Sequence, residues 1–389
     1  MTRELAISEG LVRWRKASLL VGAAGLVLSA IGLFVSRDQF FRSYLWAFLF
    51  WFGLAVGCLP LLMLYHLVGG AWGFTIRRIV ESGTRTLPVM AIFFIPILFG
   101  IHNLYAWSHA DKIAADEVLR EKQPYLNIPF WVARAVLYFA VWLFYARRLN
   151  KLSAAQDASG DETLVKRFQK ISGPGLVMYA LTVTFAVFDW AMSLEPHWFS
   201  TIYGMYFMVS QILSALAFSI AMIAVLADNP QVVRTSRADT IHDLGNLLLA
   251  FVMLWAYLAF SQFLIIWSGN LPEEISWYLR RLNNGWQWLA ASLVVFHFFV
   301  PFFLLLGRFR KRRIRSLTVI AVLVLFMRII DTFWVIAPAF YADHFTVHWL
   351  DIFALVGIGG IWLGTYAGQL TAMPMLPLHD PNTAPHKAI

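Results

Sequence analysis

Cysteine is all but missing from this chain: Cys58 stands alone in 389 residues. One thiol excludes a disulfide framework, a thiolate-ligated cluster and a cysteine-based zinc site. Charge is scarce as well, at 14% of residues, against about 25% in a soluble domain. His-Glu-x-x-His, Walker and Gly-x-Gly-x-x-Gly patterns are absent, and no low-complexity linker divides the chain. No cleavable leader is expected: Met1 to Lys16 is polar, carries Glu4 and Glu9, and precedes an apolar run long enough to span a bilayer. What abounds is apolar and aromatic surface, 60% hydrophobic and 16% aromatic, with 33 Phe and 17 Trp. These figures exclude a disordered chain, a nucleic-acid module and an ordinary soluble enzyme.

A spanning helix needs about 20 mostly apolar residues. Ten segments qualify: 17–35, 44–68, 87–107, 127–146, 174–194, 203–226, 241–267, 286–306, 317–341 and 347–370. The expected fold is all-α and integral to a membrane. Helices two to five and six to nine form two four-helix bundles, and helices one and ten lie outside them. Residues 1–16 form an N-terminal segment, 17–370 the membrane domain and 371–389 a tail. Residues 147–173 read as a flexible connector between the halves. Of 31 Lys and Arg, 22 fall on the side of the two termini, 7 on the other, and Arg134 and Arg328 inside the spans. The positive-inside rule then puts both termini in the cytoplasm of a bacterial inner membrane. It also explains the net charge of +9 without a nucleic-acid partner.

Only six charged residues lie within the spans: Arg134, Asp189, Asp243, Arg328, Asp331 and Asp351. An ionisable group at the bilayer centre costs roughly 2.5–3.5 kcal/mol, so it persists where it is paired or used. Asp243 and Asp351 lie near segment ends, placed to reach headgroups. Arg328 and Asp331 stand three apart on one helix face. Asp189, Arg134, Asp331 and His102 share a depth in the outer leaflet, which makes them a candidate polar pocket. Asp189, Arg328 and Asp331 are expected to form one cluster of two carboxylates and a guanidinium. His66 lies near the inner end of helix two and His297 midway along helix eight; both are candidate proton carriers. For each of these residues a paired or packed structural role competes with a functional one. No two histidines match in depth, so no haem is expected, nor any metal. Gly22, Gly25 and Gly32 on helix one and Gly357, Gly359, Gly360 and Gly364 on helix ten read as close helix packing. Pro272 to Leu282 reads as a short interfacial helix, with Trp277 and Tyr278 suited to the headgroup region. Phe188-Asp189-Trp190 and Ile330-Asp331-Thr332-Phe333-Trp334 hint at an internal repeat. Two classes stay open at this point: a transporter, or a membrane subunit of a redox complex that handles quinol or protons.

Three stretches carry a resemblance. Phe188 to Thr201 reads FDWAMSLEPHWFST, Phe260 to Glu274 reads FSQFLIIWSGNLPEE, and Gly285 to Trp288 reads GWQW. They resemble signatures of the NrfD/PsrC-like membrane subunits of alternative complex III, in particular the smaller of the two. The similarity runs from about Leu45 to Tyr366. It implies a ten-helix subunit of a quinol-oxidising respiratory complex that passes electrons to a cytochrome c or an oxidase. The implied partners are a paralogous NrfD-like subunit, a periplasmic iron–sulfur subunit and c-type cytochrome subunits, with lipid around them. Redox centres would sit in those partners; quinone or quinol is the one small molecule implied here. Productive quinol oxidation would belong mainly to the larger paralogue. Asp189 falls within a matching motif, and Arg328 and Asp331 on the stretch that echoes it. His102, Arg134, His66 and His297 rest on depth and chemistry alone.

Overall fold

The structure is a computed structural model that describes residues 2–161, 163–229, 232, 235–377 and 379–380, with side chains from residue 9 onward. Arg234 and Lys387 of the basic count, the side chain of Arg3, and residues 378 and 381–389 of the expected tail lie outside what is described. Among the described residues there is no strand, and ten helices are long and apolar enough to cross a membrane. They are α1 (Thr2–Val35), α2 (Arg37–Val68), α3 (Ala71–Phe99), α4 (Ile128–Ser159), α5 (Thr163–Trp190), α6 (Tyr203–Val225), α7 (Ala238–Gly269), α8 (Trp286–Leu306), α9 (Ile314–Ile336) and α10 (Trp349–Thr371). This is the architecture of a multi-pass membrane protein.

The helix α2 is apolar on every face and accordingly lies at the centre, packed on α1, α3, α5, α6, α9 and α10. On one side α5 covers α4, while α3 lies along α2; on the other, α6 carries α7 and α9, and α8 closes against α7 and α9. The closest pair is α1 with α10. A Cβ built on Gly22 would lie 2.4 Å from the Ile361 nitrogen, and one on Gly25 2.8 Å from the Gly357 backbone. Bare glycines let these two backbones touch, as the spacing predicts.

Three sequence expectations need correction. The expected third span, 87–107, is displaced: α3 begins at Ala71 and bends at Arg85–Thr86, where Pro88 in the next turn supplies no N–H. Arg77 and Arg78, counted as loop residues, lie on this helix and are buried. The connector 147–173 is not flexible chain. There α4 runs on to Ser159 and α5 begins at Thr163, with Gly160 in the left-handed region (φ +64°) at the turn. Helices simply continue past the apolar stretch that hydropathy detects. The helix α1 likewise extends beyond its apolar stretch, starting at Thr2, so residues 2–16 are helical.

Candidate functional site

The ionisable groups within the spans resolve into separate constellations. Asp189, near the end of α5, is fully buried and takes Arg134 of α4 bidentately, with Nε to Oδ2 at 2.8 Å and Nη2 to Oδ1 at 2.7 Å. Tyr138 donates to the same carboxylate at 2.8 Å. The guanidinium also donates to the Tyr125 carbonyl and lies 3.8 Å from the Tyr125 ring centroid. Trp131 and Ser193 cap the Asp189 carbonyl. Asp189 accepts three side-chain hydrogen bonds and Arg134 donates three, and neither residue lines the large cavity described next. This is a clamp between α4 and α5.

The second pair is open on one side. Asp331 of α9 pairs with Arg328 one turn earlier and accepts the Tyr206 hydroxyl of α6 at 2.5 Å. Arg328 Nε reaches Ser214 at 3.4 Å. Both charged groups are nearly inaccessible, yet Asp331 lines a cavity of about 680 Å³ between α6, α7, α8 and α9. Tyr206, Trp255, Gln262 and Tyr278 line it as well, and the rest of its wall is almost wholly apolar. Sites for small ligands run from about 300 to 1,000 Å³ and pair an apolar wall with a few polar groups. Met253, Tyr257, Phe260, Val294 and Phe299 line the cavity and are also exposed on the outer surface of α7 and α8. The opening therefore faces sideways, toward lipid in a bilayer.

Local structure explains the gap. The helix α8 turns π-helical over Leu293–Phe299, a widening that recurs at functional sites. His297 sits in this turn, fully buried against Trp255 with ring centroids 4.0 Å apart, and neither ring nitrogen has a hydrogen-bond partner. A short helix, Pro272–Arg281, covers the cavity end away from the basic loops. Its Trp277 and Tyr278 are buried and line the cavity wall. Arg281 holds this cover. It pairs with Glu195 at 2.6 Å, donates to the Val335 carbonyl at 2.7 Å and stacks 3.7 Å over Trp277. Burial pushes the Tyr278 phenol above its usual pKa, so it stays a neutral hydroxyl.

The single cluster of Asp189, Arg328 and Asp331 is thus not formed; each aspartate has its own arginine and its own tyrosine hydroxyl. His102 is outside both constellations, exposed on the helical turn Ile101–Leu104, where its carbonyl meets His109. His66 stacks on Phe168 at the basic end, 4.0 Å between centroids. Asp243 is exposed, whereas Asp351 does not reach outward: it is buried at the start of α10, accepting from Ser43 at 2.6 Å and Trp46 at 3.0 Å. Sequence reading passed over Tyr206, Gln262 and Trp255, because uncharged residues in apolar helices carry no signal of their own. It also missed a buried network on α3, where Glu81 bridges Arg77 (2.9 Å) and Arg78 (2.7 Å). The spacing Arg77-Arg78-x-x-Glu81 was the available clue, since i,i+3 and i,i+4 charges meet on a helix. No family model matches the chain, and no curated protein matches it.

Proposed function

We propose that the chain is an integral membrane subunit of a quinol-oxidising respiratory assembly, of the NrfD/PsrC-like kind that its motifs resemble. The observation that carries this reading is the cavity lined by Asp331 and Tyr206, with Arg328 paired to that carboxylate behind the wall. It is almost wholly apolar, opens toward lipid and has one carboxylate, Asp331, in its wall. A quinone is a flat ring with two polar oxygens on an apolar chain, and it travels within the bilayer. Its ring would lie between Trp255 and the Asp331–Tyr206 pair, with the chain leaving between α7 and α8. Two-electron oxidation of a quinol releases two protons, and Asp331 is the carboxylate placed to accept one. The electrons would pass to partner subunits, an iron–sulfur protein and c-type cytochromes. The chain alone supplies binding and proton transfer rather than complete catalysis.

In this reading α2 to α5 and α6 to α9 are the two four-helix bundles, with α1 and α10 outside them. The packing of α4 on α5 and of α6 on α7 and α9 supports that grouping. Both termini face the cytoplasm of a bacterial inner membrane, supported by the bias of basic residues. Cysteine labels at Gly160 and Asn270, the turns after α4 and α7, should react from opposite sides.

A stand-alone carrier is the second reading, favoured by the π-helical break in α8 beside the cavity, since carriers interrupt helices at their substrate sites. Purification from the native membrane separates the two. A complex subunit should bring iron–sulfur and haem-bearing proteins with it, and its deletion should abolish quinol oxidation by that assembly. Isolation as a stable solitary protein that moves a solute across liposomes would favour the carrier.

A further inference from the structure

The polar side chains in the wall of the large cavity are mismatched: the acceptors are taken and donors are left over. The one carboxylate, Asp331, accepts from Arg328 and Tyr206. The Gln262 carbonyl oxygen accepts from the Ser200 hydroxyl at 3.2 Å. The Gln262 amide nitrogen carries two hydrogens, yet it reaches only the Tyr278 oxygen, at a stretched 3.5 Å. Tyr278 in turn gives its own hydroxyl hydrogen to no acceptor among the described residues. Trp255 Nε1 is buried without a partner, its ring 6.3 Å from that of Tyr206. Gln262, Tyr278 and Trp255 all line the cavity and are all more than nine-tenths buried. A buried donor without an acceptor is costly, so a ligand that supplies acceptor oxygens is favoured here.

We propose that this cavity binds the oxidised ring, the quinone, in preference to the quinol. The preference rests on the quinol reading above, and Gln262 and Tyr278 are the groups that hold the ring oxygen farther from Asp331. A quinone presents two acceptor oxygens and no donor. A quinol brings two further donors to a wall whose acceptors are already taken. Gln262 stands seven residues beyond Trp255 on α7, roughly 10 Å along the helix. A para-quinone with a hydrogen bond at each oxygen spans about that length. One oxygen then lies beside Trp255 and Tyr206, and the other reaches Gln262 and Tyr278. Tighter binding of the oxidised form draws the bound couple toward quinone, which makes the bound quinol the stronger reductant.

The test is equilibrium binding to the full-length protein in nanodiscs. The probes are a tritiated short-chain 1,4-naphthoquinone and, in separate samples under argon, the same compound reduced with borohydride. Binding that disappears in Ala256→Trp, which fills the cavity, is the cavity's share. Quinone should bind about 10-fold more tightly than quinol, the gain expected for two hydrogen bonds made rather than left unmade. Gln262→Leu and Tyr278→Phe should each weaken quinone binding several-fold and leave quinol binding nearly unchanged. If Gln262→Leu lowers the unfolding temperature, Tyr278→Phe decides, since it removes a hydroxyl and keeps the ring. Quinol bound as tightly as quinone would overturn the preference and leave the quinol reading standing. So would a Tyr278→Phe variant that binds quinone as the parent does, or one that weakens both forms in parallel. Absence of saturable binding by either form would remove the quinol reading and the preference with it.

Discussion

A guanidinium taken out of water costs several kcal/mol unless a carboxylate and further hydrogen bonds replace its hydration. Arg134 is compensated on every side by Asp189, the Tyr125 carbonyl and two aromatic faces. Arg328 has Asp331 and a long contact to Ser214, and its partner carboxylate borders a cavity. Different responses to mutation follow. Arg134→Leu strands Asp189 in a sealed site and should cost about 3–5 kcal/mol, read as a lowered unfolding temperature. Removing both members of the other pair, Arg328→Met with Asp331→Leu, should be about neutral in stability and should abolish quinone binding. A double variant that still binds quinone normally would take Asp331 out of the site. Sequence named all four residues, since an ionisable group in an apolar span is conspicuous. It read Arg328 and Asp331 as sharing one helix face, where they do pair, but could not pair Arg134 with Asp189, because depth along a helix says nothing about which neighbouring helix a side chain faces.

Among the elements, the ten spans were legible because each has an apolar stretch of membrane length. The bent start of α3 was not, since its charges look like loop residues until Glu81 is seen to neutralise Arg77 and Arg78 within the same helix. The α1–α10 contact was legible from its glycines, and it depends on them. A Cβ on Gly360 would lie 2.5 Å from the Gly22 backbone, which cannot yield as a flexible side chain would. Gly360→Leu should therefore detach α1, whose other main neighbour is α2. Proteolysis in detergent should cut the Ser36 junction faster in that variant, while Gly10→Leu, with open space around its Cβ, should behave as the parent.

At the scale of the whole molecule, polar groups are divided between the two ends of a largely apolar body. The basic end holds the Arg77–Glu81–Arg78 network and His66; the opposite end holds the Glu195–Arg281 cover and the large cavity above Asp331. The helices α7 and α8 meet closely near their basic ends, through Val300–Leu306, and part around the π-helical turn. That parting is why the large cavity opens toward lipid rather than water, and a lipid-soluble ligand is the chemistry that such an opening admits. The most direct measurement is photolabelling of the reconstituted protein with an azidoquinone, followed by peptide mapping. Adducts are expected on residues 253–263 of α7 and 290–299 of α8, displaced by excess quinone and lost in Ala256→Trp, which fills the cavity. Labelling spread over lipid-facing surfaces such as α1, undiminished by competing quinone and unchanged in Ala256→Trp, would contradict a quinone site in this subunit.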